Sequence, residues 1–80
     1  MKESITLKYP VTLNGEIISV LSLRRPKVQD RLTAERNGGS DLDKEMRLMA
    51  NLCEVAPDLV LELDLADYSA LQAQLSNFLS

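Results

Sequence analysis

Residues 4–24 fix what the N-terminal part of this chain can become. Ile5, Leu7, Tyr9, Val11 and Leu13 alternate with polar residues or Pro10, the period-two pattern of a half-buried strand. Asn14-Gly15 follows, a pair that tolerates positive φ and so marks a hairpin turn. A second strand then runs from about Glu16 to Arg24. Pro10 donates no ladder hydrogen bond, which places the first strand at an edge or a bulge. A two-residue loop sets Val11 opposite Ile18. A three-residue loop sets Val11 opposite Ile17, Leu7 opposite Leu21 and Ile5 opposite Leu23. The second arrangement gathers more large apolar side chains on one face and is the register favoured here.

A lone hairpin is marginal in water, so its apolar face needs a cover. The remaining residues supply it as helices at about 26–36, 41–55, 57–63 and 65–79. Pro26 suits a first helical position, and Val28 and Leu32 share one side of that helix. Asn37-Gly38-Gly39 ends it and forms the glycine break at 37–39, the one plausible linker and the candidate mobile spot. Ser40 with Asp43 three positions later reads as a capping box. Leu42, Met46, Met49 and Cys53 fall at helical spacing on the second helix. Pro57 opens a short helical turn, and Asp64 caps the last helix, whose face is Tyr68, Leu71, Leu75, Phe78 and Leu79. The reading is α+β: an N-terminal antiparallel β-hairpin followed by three to four helices, one small domain over 1–80.

Composition narrows the function. The 80 residues contain no histidine and one cysteine, Cys53. That removes the usual neutral-pH general base, the commonest nitrogen ligand for zinc, and any internal disulfide. Gly38-Gly39 is an isolated pair and no phosphate loop. No catalytic residue, cofactor or metal site is expected. A hydrophobic fraction of 45% suits a globular chain. No run approaches the about 18 apolar residues of a membrane span, and Met1–Ser4 lacks the layout of a signal peptide. A cytoplasmic protein is expected.

Charge is uneven. Residues 1–36 sum to +3 and residues 37–80 to −6, within a net −3. This polarity suits oriented docking or head-to-tail contacts between copies as well as a plain solvated surface. Arg24 and Arg25, near Lys27 and Arg31, form the basic cluster, but with Tyr9 as the lone aromatic of that half they point away from nucleic acid. Met46 and Met49 suit core filling or an adaptable binding face. The stripe Tyr68, Leu71, Leu75 and Phe78 suits packing on a second chain or on the hairpin of its own chain. Asp64 and Asp67 read as complements to the last helix's N-terminus. Cys53 reads as a buried structural thiol.

Together, Ile5-Thr6-Leu7-Lys8-Tyr9-Pro10-Val11, Asn14-Gly15, Leu21-Ser22-Leu23-Arg24-Arg25-Pro26, Asp30, Leu63-Asp64-Leu65-Ala66-Asp67-Tyr68 and Phe78 resemble the short tail assembly chaperones of Mu-like and related contractile-tailed phages and prophages. The resemblance spans nearly the whole chain. It implies a non-enzymatic chaperone that coats the helical tape measure protein until the tail tube assembles. It also implies a short form, of 80 residues here, beside a longer frameshifted one. The expected partners are the tape measure protein and further copies of the chain, with Arg24, Arg25, Met46, Met49, Tyr68, Leu71, Leu75 and Phe78 as candidate contacts. The alternative is a small prophage-encoded transcriptional or antitoxin-type regulator.

Overall fold

A computed structural model describes residues 2–80. Its elements are β1 (Lys2–Leu13), β2 (Glu16–Arg24), α1 (Val28–Glu35), α2 (Asp41–Cys53), α3 (Pro57–Leu61) and α4 (Leu65–Leu79). The two strands form an antiparallel hairpin, and helices follow it, so the α+β architecture holds.

Asn14 and Gly15 both take positive φ, 53° and 79°, as a two-residue type I′ turn requires. The turn therefore sets Val11 opposite Ile18, and the three-residue loop register is overturned. That register does not return further along either. Between Thr6 and Val11 the pairing shifts, so that Ile5 lies opposite Leu21 and Glu3 opposite Leu23. Four residues of β1, Leu7 to Pro10, face the single residue Ser19 of β2. The irregularity sits where Pro10 interrupts the ladder. It turns Tyr9 out to solvent, while Leu7 and Val11 stay buried.

Behind the hairpin, α2 packs on β2, α1 and α3, and α4 lies along β1. Leu23, Met49, Leu52 and Leu71 fill the centre, each fully buried. Burying each such side chain is worth roughly 1.5–3 kcal/mol relative to exposure.

The helix ends follow local chemistry. The Ser40 hydroxyl accepts from the Asp43 N–H, and the Asp43 carboxylate accepts from the Ser40 N–H, closing the capping box of α2. The α2 C-terminus turns at Glu54, which takes a left-handed conformation with φ 58°. The Val55 N–H then reaches Ala50 O, the long-range bond of a Schellman motif. Pro57 stands at the start of α3, and Asp64 caps α4 by accepting from the Ala66 N–H.

Pro26 lies one residue before the cap of α1 rather than inside it. Lys27 is the cap, and the Asp30 side chain reaches back to its N–H. Neither Val28 nor Leu32 joins the core: both are exposed, and α1 turns Asp30 and Ala34 inward instead. The glycine break is held from α2. The Arg47 guanidinium donates to Ala34 O at 3.0–3.2 Å and also to Gly38 O.

Candidate protein-docking site

Two buried carboxylates organise the interior. Asp30 is 5% exposed and accepts four hydrogen bonds: two from the Arg24 guanidinium at 2.6 and 2.8 Å, one from Lys27 N and one from Asn51 Nδ2. The Arg24 hydrogen bonds, assisted by the Lys27 N–H, hold its carboxyl below the usual carboxylate range. Arg24 is thereby committed to the interior of its own chain. The hollow of about 610 Å³ beside it, lined by Arg25, Lys27, Gln29 and Thr33 among others, contains this same network.

Asp67, 2% exposed, takes the Lys8 and Tyr9 N–H groups at 2.9 and 3.1 Å. Those are the donors that the strand irregularity removes from the ladder. Asp67 stands in the first turn of α4, where its charge complements the helix N-terminus as expected, and it also ties α4 to β1, a role its position in the sequence does not reveal.

The other expected site residues divide. Met49, Tyr68, Leu71 and Phe78 belong to the core, so the stripe of the last helix faces its own hairpin. As side chains offered to a partner they are withdrawn by folding. Tyr68 donates to Glu45 at 2.8 Å, and burial together with that carboxylate raises its hydroxyl pKa far above the ordinary range. Cys53 is buried, and desolvation pushes its thiol up to about 11, the state of an inert structural cysteine. Arg25 reaches the surface with its guanidinium 5.8 Å above the Phe78 ring. Met46 and Leu75 are half-buried at the core's margin.

Leu75 leads to the surface that sequence reasoning missed. Because α1 packs on α2 while α4 packs on β1, an open groove runs between α1 and α4 with Leu48 and Leu75 as its floor. One stretch, about 330 Å³, is lined by Pro26, Lys27, Val28, Arg31 and Leu79 over that floor. The next, about 270 Å³, shares Arg31 and Leu79 and continues past Ala34 to Asp41 and Lys44. Val28 is 79% and Leu79 70% exposed, so the walls are apolar and open to solvent. One end is basic, from Lys27 and Arg31; the other is mixed, with Lys44 bound to Glu35 at 2.9 Å. The signal was present in α1: an eight-residue helix whose inward position is already filled by a salt-bridged aspartate cannot also bury Val28 and Leu32.

Groups of three side chains able to hold a metal do not occur among the described residues. Instead the groove offers apolar area with a charged margin, the equipment of a surface that holds protein.

Compared with known families, residues 4–80 match the family described as phage tail assembly chaperone proteins, E, or 41 or 14. The chain belongs to this family. The match begins at Ser4, within β1, and takes in the rest of that strand, β2 and all four helices, so the groove lies wholly within the matched part. No curated protein and no solved structure matches the chain. Membership supports a role in phage tail assembly with protein partners in the tail, and it leaves the regulator alternative without support.

Proposed function

We propose that this tail assembly chaperone binds the tape measure protein and keeps it soluble until the tail tube forms around it, acting by binding alone in the host cytosol. The observation that carries the reading is the open α1–α4 groove, whose leucine floor and apolar walls suit the apolar stripe of an amphipathic helix. A tape measure protein is long and helical, so it presents such stripes repeatedly and needs many copies of a small holdase. The chain fits that demand: it is small, uses its histidine-free surface for contact rather than chemistry, and self-associates as copies gather. Among the described residues no helix is long and apolar enough to cross a membrane, which accords with action in an aqueous compartment.

Co-expression with the tape measure protein of the same phage tests the reading. Soluble tape measure protein should co-purify with the chain in several copies per molecule. Tape measure protein that stays insoluble in its presence, or a chain that is instead retained on DNA in a salt-sensitive way, contradicts it.

A further inference from the structure

Helix α1, one wall of the groove, is held to the molecule chiefly by polar bonds. Of its eight residues only Asp30 and Ala34 are buried, so the methyl of Ala34 is the one apolar side chain it puts into the core. A helix this short does not persist without packing. Its two ends are fastened differently. At the start, the buried Asp30 carboxylate is bonded to Arg24 of β2 and to Asn51 of α2. At the far end, Arg47 of α2 donates to Ala34 O and Gly38 O, and Lys44 pairs with the exposed Glu35. The chain then leaves through Gly38, at φ 66°, where an added side chain would meet nothing within 4 Å. At Gly39 one would press on Asp43 at 3.0 Å, so the freedom to turn lies at Gly38. There is also space to move into. At about 3.6 residues per turn, Val28, Arg31 and Glu35 face the groove while Gln29, Thr33 and Asn37 fall on the opposite flank. That flank is open too: Thr33 and Asn37 border a hollow of about 200 Å³ that reaches Val55 and Pro57.

We infer that α1 is a hinged wall of the groove. Anchored at Asp30 and turning at Gly38, it swings its C-terminal end away from α4 when the Arg47 bonds to Ala34 O and Gly38 O let go. This deepens the proposed function and rests on it in taking the groove as the holding surface. The stretch that widens is the narrower one, about 270 Å³, bordered by Ala34, Glu35 and Lys44; the stretch beside Val28 stays near the anchor. An apolar helix stripe then enters at the fixed end and is accommodated at the movable one. Stripes of different bulk fit one groove, because the wall adjusts by a hinge and not by repacking the core.

The test measures distances by double electron–electron resonance in the full chain. Cys53 is buried with its thiol pushed up to about 11, so nitroxide labels attach to introduced cysteines instead. One pair, at the exposed Arg36 and Asn77, spans the movable end of α1 and α4; a second, at Gln29 and Asn77, spans the anchored end. Arg47→Met keeps a long side chain but removes the donors. It should lengthen and broaden the Arg36–Asn77 distance and leave the Gln29–Asn77 distance unchanged. An amphipathic helical peptide from the tape measure protein of the same phage should shift wild type in the same way. That peptide should bind Arg47→Met roughly three- to tenfold more tightly, since less of the protein is closed, and should be lost by the groove variant V28E/R31E. Distances that neither Arg47→Met nor bound peptide alters, or that change equally at both ends, overturn the inference and leave the groove as the holding surface. A peptide that binds V28E/R31E as well as wild type contradicts the groove reading instead, while the Arg47→Met distances still decide the hinge. Should circular dichroism show Arg47→Met unfolded, Lys44→Gln, which removes only the pair with Glu35, takes its place with the same expected and contrary results.

Discussion

At the scale of single residues, two aspartates join parts of the chain that are far apart in sequence. Asp30 binds the end of β2, the start of α1 and the last turn of α2 through one carboxylate. Removing it as Asp30→Ala leaves the Arg24 guanidinium half-buried without its partner and two further donors unpaired. We expect a loss of about 3 kcal/mol in urea unfolding, whereas an exposed, solvent-screened ion pair such as Lys2–Glu54 contributes far less. The carboxyl pKa of Asp30 is depressed in the folded state, as is that of Asp43 through its bonds to the Ser40 N–H and hydroxyl. Both therefore contribute stability that is fully present above the unfolded carboxylate range, about pH 4, and fades as pH falls through their folded values. Stability measured between pH 6 and pH 2 should fall on the acid side, and Asp30→Asn should flatten that slope; an unchanged slope contradicts the assignment.

Asp67 acts at the same scale with a different cause. Its carboxylate replaces ladder partners that β1 loses around Pro10, so Asp67→Ala strands the Lys8 and Tyr9 N–H groups. The expected cost is about 2–3 kcal/mol, from two part-buried donors left unmade. Asp67→Asn retains one accepting oxygen and should cost distinctly less. Amide hydrogen exchange at Lys8 and Tyr9 reads the effect directly, and unaltered protection in Asp67→Ala would show that the bonds do not form in solution.

Among the elements, what was legible in the sequence was whatever local chemistry decides. Asn14-Gly15 marked the place of the turn, though not its two-residue length, and Ser40, Pro57 and Asp64 begin helices because each satisfies or dispenses with an orphan backbone donor. Strand register was not legible, because counting apolar side chains per face assumes an uninterrupted ladder. Here Pro10 and the distant Asp67 make an interruption favourable, and nothing near Pro10 announces residue 67. The α2 terminus hid for a related reason: glutamate is a poor marker of left-handed geometry, yet Glu54 adopts it. That conformation costs a non-glycine residue about 1 kcal/mol. Glu54→Gly should therefore raise stability by several tenths of a kcal/mol even though it deletes the exposed contact to Lys2. A lower Tm would mean that the Lys2 pair outweighs the backbone strain.

Across the whole molecule, the same principle explains why the candidate contact residues were only partly legible. Spacing identified most of the apolar stripes of α2 and α4, though Leu42 and Leu79 at their ends are exposed, and a stripe does not say whether its cover is the same chain or another. Met49, Tyr68, Leu71 and Phe78 are consumed by the hairpin. The surface left for partners comes from a mismatch between layers: α1 follows α2, α4 follows β1, and the gap between them keeps Val28 and Leu79 in solvent. Charge varies along the groove, with Lys27 and Arg31 at one end and Glu35, Asp41, Lys44 and Glu45 at the other. A chaperone of this size can thus keep a closed core and still present an apolar surface for holding a tail protein.

The most direct measurement is the amount of soluble tape measure protein recovered on co-expression with wild type, with V28E/R31E, and with a control carrying Glu at exposed Ile17 on the hairpin. Wild type and the hairpin control should recover similar amounts, and the groove variant should fall at least tenfold while remaining folded. Equal recovery with all three would contradict the assignment of holding to the α1–α4 groove.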